Sequence, residues 1–196
     1  MKRRLLAVLV AALVFVPSAG AVLVHVRVEG MTRTIFGPTA PVLDVKANAL
    51  DTLDAASLAG EFYYHVQLTP FGPYVDQIGR YAAAGQTGWV FKVNGKSPPV
   101  GADHVKLQDG DTVLWYWAQF GVAGGPKTLA LQRAGRCYTV LARDDNGKTS
   151  PAVGAILHVG SRRTIATQNG RACIGRHLGL LVRAELGGAV RSNALP

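Results

Sequence analysis

Gly88 to Phe120 reads GWVFKVNGKSPPVGADHVKLQDGDTVLWYWAQF. This stretch holds all three tryptophans of the 196-residue chain, Trp89, Trp115 and Trp117. Trp89 to Val93 predicts a strand and Asn94-Gly95 a two-residue turn. Pro98-Pro99 breaks the run. Asp109-Gly110-Asp111 then turns the chain into a second strand over Thr112 to Phe120. Successive side chains of a strand point to opposite faces. Trp115 and Trp117 therefore share one face, and Leu114 and Tyr116 the other. Only 8% of the chain is aromatic. Large rings on both faces of one strand mean either that two cores meet on this sheet or that one face awaits a partner.

Upstream, Val22 to Glu29 (VLVHVRVE) alternates apolar and polar residues. It predicts a strand buried on its valine face, with His25, Arg27 and Glu29 on a solvated face. Gly30 and Met31 turn it into a short strand over Thr32 to Phe36, ended by Gly37-Pro38. Asn48 to Ala59 predicts a helix. Asn48 is its cap, Asp51 favours the positive end of the dipole, and Leu50, Leu53 and Leu58 form its apolar stripe. Gly60 is expected to end it. Phe62 to Leu68 returns to strand character, and the turn-rich run from Pro70 to Gly79 fits no single element. The first unit thus reads as mostly β with one helix.

The chain starts MKRR, continues with an apolar run from Leu5 to Val16, and reaches the small-x-small site Ala19-Gly20-Ala21. We expect a signal peptide over residues 1–21, cleaved after Ala21, with an uncleaved anchor as the alternative. No transmembrane segment is expected after cleavage. Export gives the two cysteines, Cys137 and Cys173, their simplest reading as one disulfide.

The formal net charge of +9 is unevenly spread. Val22 to Pro126 carries seven basic and nine acidic residues, and Lys127 to Pro196 eleven and three. The break marks a boundary, with a linker over 122–127 between units spanning 22–121 and 128–196. In the second unit Cys137 to Arg143, Val153 to Val159, Arg163 to Thr167, Ala172 to Ile174 and Leu180 to Leu186 read as short strands. Asp144-Asp145-Asn146-Gly147 and Asn169-Gly170 turn the chain. Evenly spaced short strands suggest a small sandwich. The arginines are scattered singly and the chain is exported, so nucleic acid is not expected as a partner. Anionic cell-envelope polymers are.

None of the five histidines, at 25, 65, 104, 158 and 177, stands in a metal-binding spacing, and no metal or cofactor is expected. The Asp144–Gly147 run lacks the ligand pattern of a calcium loop. No nucleophile elbow, P-loop or dinucleotide fingerprint is present. No catalytic residue is assigned, and an enzyme is not expected.

The opening stretch resembles the transcobalamin-like C-terminal domain family, which has no assigned function in bacteria. Its marks here are Gly88, Trp89, Phe91, Val93, Asn94 and Gly95, then Val100, Gly101, Ala102 and Asp103, then Leu107, Asp109, Gly110, Asp111 and Trp115. The helix and FGPYVDQI at Phe71 to Ile78 look like the family's middle section, and the resemblance covers Val22 to Phe120. It implies a β-grasp-like α+β unit, a sheet holding one helix. In the vertebrate cobalamin carriers such a unit closes over the corrinoid, opposite a large helical domain for which this chain is too short. A cobalamin-like ligand is implied by the resemblance alone. Tyr138 to Ala172 resembles bacterial immunoglobulin-like or carboxypeptidase-regulatory-like sandwiches at Asp145, Gly147, Val153, Gly154, Ala155, Asn169 and Gly170. This second resemblance implies a spacer or adhesion module.

The expected protein is therefore mainly β: a β-grasp-like unit followed by a small all-β sandwich. It is expected to be secreted or envelope-associated and non-enzymatic, and to bind a ligand or partner, with a flat or apolar small molecule as one candidate. Trp89, Phe91, Trp115, Tyr116 and Trp117 are the candidate binding platform. The alternative is a structural or adhesive surface module without a small ligand.

Overall fold

The computed structural model describes residues 20–121, 124–160 and 162–196. Most of the expected signal peptide and two residues of the expected linker, 122 and 123, lie outside the described residues. Among the described residues no helix is long and apolar enough to cross a membrane. The chain is mainly β, with one helix among its elements.

The first sheet has the order β2-β1-β8-β7, built from β1 (Val22–Glu29), β2 (Thr34–Phe36), β7 (Thr87–Val93) and β8 (Thr112–Gln119). A fifth strand, β3 (Val42–Val45), pairs with the first half of β1. β1 and β8 run parallel at the centre, with Val28 opposite Trp115, while β7 and β8 are antiparallel. A β1–β2 hairpin, then a helix, then a strand parallel to β1 fits the β-grasp-like arrangement that the resemblance implies. A small side sheet, β4 (Tyr64–Thr69), β5 (Gly72–Ile78) and β6 (Tyr81–Ala82), completes this half.

The helix α1 spans Asp51–Gly60. Its N-cap is Leu50 and not the expected Asn48; just ahead of it Asn48 and Asp51 bond reciprocally, with Asn48 Oδ1 accepting from the Asp51 N–H and Asp51 Oδ2 accepting from the Asn48 N–H. Three further expectations for the helix need correction. It starts at Asp51, three residues later than expected. Its left-handed C-cap is Glu61 and not Gly60 (φ 50°). Gly60 is helical, and a Cβ there would come within 2.6 Å of the Phe36 ring. Its buried face is Thr52, Leu53 and Ala56, while Leu58 is 83% exposed. A ten-residue helix that meets the sheet at small residues leaves its last leucine outside.

The second half consists of two facing sheets. One joins β9 (Thr128–Ala134), β10 (Cys137–Arg143), β11 (Thr149–Pro151) and β14 (Arg171–Cys173). The other has the order β13-β12-β15, from β12 (Ile156–Val159), β13 (Arg162–Ile165) and β15 (Val182–Glu185). Leu129, Leu131, Tyr138 and Val140 from the first sheet and Leu157, Val159, Val182 and Ala184 from the second share one core. Cys137 and Cys173 stand opposite each other on β10 and β14 and are disulfide-bonded.

The alternation of β1 holds, but its polar face is not solvated. Arg27 and Glu29 are as buried as the valines on the other side, because the second half of the chain packs against that face.

Candidate functional site

The rings of β7 and β8 divide as the alternation requires. Trp89, Phe91, Val93, Val113, Trp115 and Trp117 face α1 and the side sheet. Trp115 is 2% exposed, stacks on Phe91 with ring centroids 5.0 Å apart, and donates its indole N–H to Thr52 Oγ1 at 2.9 Å. Trp89 is also buried and donates to the Tyr81 carbonyl at 2.8 Å. On the opposite face Leu114, Tyr116, Ala118 and Val90 pack with Val190 from the second half. Tyr116 is 1% exposed. The sheet is therefore core on both sides.

This corrects the expected platform. Trp89, Trp115 and Tyr116 are interior, and Phe91 is half-buried against Trp115. Trp117 differs from the others. Its ring meets Trp89 edge-on at 5.6 Å and lies 6.0 Å from Tyr81. It also lines a cleft of about 400 Å³ where the two halves meet. Met31, Phe120, Pro126 and Val190 form the apolar walls around it. Gln119 and the backbone at Gly30, Gly121 and Gly188 supply polar edges. Met31 and Phe120 stay 60% and 38% exposed.

Buried charge surrounds this junction, and none of it was anticipated. Glu29 sits between two arginines: Arg27 Nη1 reaches Glu29 Oε1 at 3.2 Å, and Arg191 Nη2 reaches Oε2 at 3.0 Å. Thr34 Oγ1 donates to the same carboxylate. Arg191 also donates to the Gly30 carbonyl at 2.6 Å, so its guanidinium is already engaged where it borders the cleft. Burial lowers the pKa of Arg27, with Glu29 opposing that effect.

A second contact pairs two tight turns. Asn94 (φ 52°) and Gly95 (φ 80°) form the expected two-residue turn. A Cβ on Gly95 would lie 2.5 Å from Arg143 Nη1, and one on Gly147 2.6 Å from Lys96 Cγ. These two glycines allow the turns to dock. Lys92 is fully buried beneath them, donates to the Asp144 carbonyl at 2.9 Å and pairs with Asp145 at 3.2 Å. Burial pushes its ammonium pKa down, and Asp145 offsets part of the shift. Burial, then the charge of Asp145, pushes the Tyr116 phenol up. Asp144-Asp145-Asn146-Gly147 is thus a hairpin turn, as expected, and also part of the interface.

Residues 47–119 match a family described as a domain of unknown function (DUF4430). The DUF4430 stretch begins just before α1 and ends with β8. It supports the sequence resemblance over that span and leaves β1, β2, β3 and the second half unmatched. Trp117 belongs to the DUF4430 stretch. Met31, Phe120, Pro126 and Val190 do not, so most of the cleft is built by residues outside the match. No curated protein matches the chain.

Among the described residues no group of three or more His, Cys, Asp or Glu side chains is arranged to hold a metal ion. Three histidines have local partners: His25 Nδ1 meets the Ala40 carbonyl, His65 meets Asp76, and His177 meets Tyr138.

Sequence reading missed Arg27, Glu29, Lys92 and Arg191 because alternation says which face a residue takes, not what covers that face. One signal was available. Opposite charges two apart on one strand, as at Arg27 and Glu29, share a face and can neutralise each other when that face is buried.

Proposed function

We propose that the protein is an exported, non-enzymatic binding module of the cell envelope that takes a flat or apolar small molecule in the junction cleft against Trp117. The observation that carries this reading is the position of Trp117, with one side on the aromatic core and the other open to an apolar cleft of about 400 Å³. That volume lies within the range of small-molecule sites. Among the described residues the one ionisable side chain in the lining is Arg191, which is tied to Glu29. The cleft therefore offers no acid–base pair for catalysis.

We read the first unit, 22–121, as a transcobalamin-like β-grasp domain, a reading the DUF4430 match supports. A corrinoid does not suit this cleft. Its volume is at the small end for drug-sized ligands, and among the described residues no histidine stands in its lining. We read 128–196 as an immunoglobulin-like sandwich that positions the first unit. Export rests on the leader at 1–21. The disulfide supports it, because such bonds persist in oxidising compartments.

A purely structural or adhesive module is the competing reading, favoured by the burial of Trp89, Trp115 and Tyr116. A neutral flat probe, N-phenyl-1-naphthylamine, separates the two when its emission is excited by energy transfer from tryptophan. The binding reading expects Met31→Ala and Phe120→Ala each to weaken probe binding several-fold. Met31 is largely exposed, so the stability of Met31→Ala should stay within about 0.5 kcal/mol of the parent; Phe120 is only 38% exposed, so its variant is compared at a temperature where a melt shows it folded. Unchanged probe affinity in both variants would leave the structural module as the correct reading.

A further inference from the structure

We propose that the disulfide end of the second half is a docking surface for an anionic lipid bilayer. The proposal is independent of the junction cleft. Three segments meet at that end. Arg133 stands near the end of β9 and Arg136 in the β9–β10 turn, both exposed. Residues 174–181 connect β14 to β15 and carry Arg176 and three exposed leucines: Leu178 (88%), Leu180 and Leu181. Arg162, the exposed first residue of β13, stands at the same end. Val159 of β12 stands opposite both Arg162 and Val182, and Leu180 lies against Gly160. Arg133, Arg136, Arg176 and Leu178 border one shallow pocket.

The segments are held in place. The Cys137–Cys173 disulfide joins the residue after Arg136 to the residue before Ile174, clamping the bases of two of them. His177 is fixed between the Gly175 carbonyl at 2.8 Å and the Tyr138 hydroxyl at 2.7 Å. The leucines are therefore presented on a braced loop, with Leu178 almost fully exposed and Leu180 and Leu181 about half exposed.

Charge selects the partner. Residues 146–184 contain no Asp or Glu. The three acidic residues of the second half are engaged elsewhere: Asp144 and Asp145 at the Lys92 turn, and Glu185 with Arg183. Arg133 is held by the Pro196 carbonyl at 2.6 Å and the Gly135 carbonyl at 3.0 Å, whereas Arg136, Arg162 and Arg176 are exposed and, among the described residues, stand in no ion pair with an Asp or Glu. A soluble polyanion would use the arginines and leave three leucines in water. A bilayer uses both, because guanidinium groups pair with phosphates at headgroup depth while leucines enter the acyl boundary.

The test is co-sedimentation of the chain from Gly20 onward, which contains every described element, with vesicles of phosphatidylglycerol or of phosphatidylcholine. Binding to phosphatidylglycerol, with little to phosphatidylcholine, is expected. Leu178→Ser with Leu180→Ser should weaken it by about tenfold or more, from the apolar area withdrawn. Arg136→Gln with Arg176→Gln should also weaken it by about tenfold or more. Leu68→Ser, at an exposed leucine of the first half, should leave binding unchanged. All substituted positions are exposed, and unchanged circular dichroism melts would confirm folding. Three results would overturn the proposal: no binding to phosphatidylglycerol, equal binding to both lipids, or loss in the arginine variant with none in the leucine variant. The last result, with matching affinity for soluble polyphosphate, would identify an anionic polymer as the partner instead.

Discussion

Trp115→Ala should lower the stability of the chain by about 3–5 kcal/mol, the range for deleting a buried large ring. The indole is enclosed by α1, Phe91 and the valines of β1, and its N–H is matched to Thr52. Alanine leaves a cavity that a helix fixed at Asn48 and Glu61 cannot close by moving one turn. Trp115→Phe should cost less, because most of the ring volume is kept and one hydrogen bond worth about 1 kcal/mol is lost. Urea denaturation checks both variants. A midpoint for Trp115→Ala within about 0.5 kcal/mol of the parent would mean that the ring is not core.

Glu29→Ala should be comparably damaging, about 3–5 kcal/mol, for an electrostatic reason. The carboxylate is fully enclosed between Arg27 and Arg191. Removing it leaves two guanidinium groups facing each other in a dry interface, and breaking a buried ion network costs more than the network contributes. Arg27→Met, Glu29→Leu and Arg191→Met together should therefore recover most of the loss. Thermal melts of the single and triple variants give the comparison. A triple variant no more stable than Glu29→Ala would show that side-chain packing, and not uncompensated charge, sets the effect.

Much of the fold was legible along the chain because it is written in local chemistry. Alternation located β1, β7, β8 and β10, and Asn94-Gly95 and Asp144–Gly147 located turns. The parallel pairing of β1 with β8 was not local. It joins residues 87 positions apart, and only the resemblance to a β-grasp-like unit pointed to it. β3 and β9 were missed: the first is short and framed by Pro41 and Lys46, and the second directly follows the glycine-rich linker. The site was read less well than the fold. The surplus of rings pointed to the right strands, but surplus was taken as exposure. A four-residue pattern such as Trp115–Ala118 looks the same whether its second face meets water or Val190. The junction cleft depends on Met31, Phe120 and Val190, which are far apart in sequence and carry no motif.

Each half has its own apolar core, around Trp115 and around Tyr138. The central claim is that the aromatic sheet is covered on both faces, by α1 on one side and by the second half on the other. The halves then share Tyr116, Lys92 and the Glu29 network and cannot unfold independently. Differential scanning calorimetry of the chain from Gly20 onward, with its disulfide intact, tests this most directly. One transition is expected, with calorimetric and van't Hoff enthalpies equal. Two separable transitions, one of them reproduced by residues 20–121 alone, would contradict it.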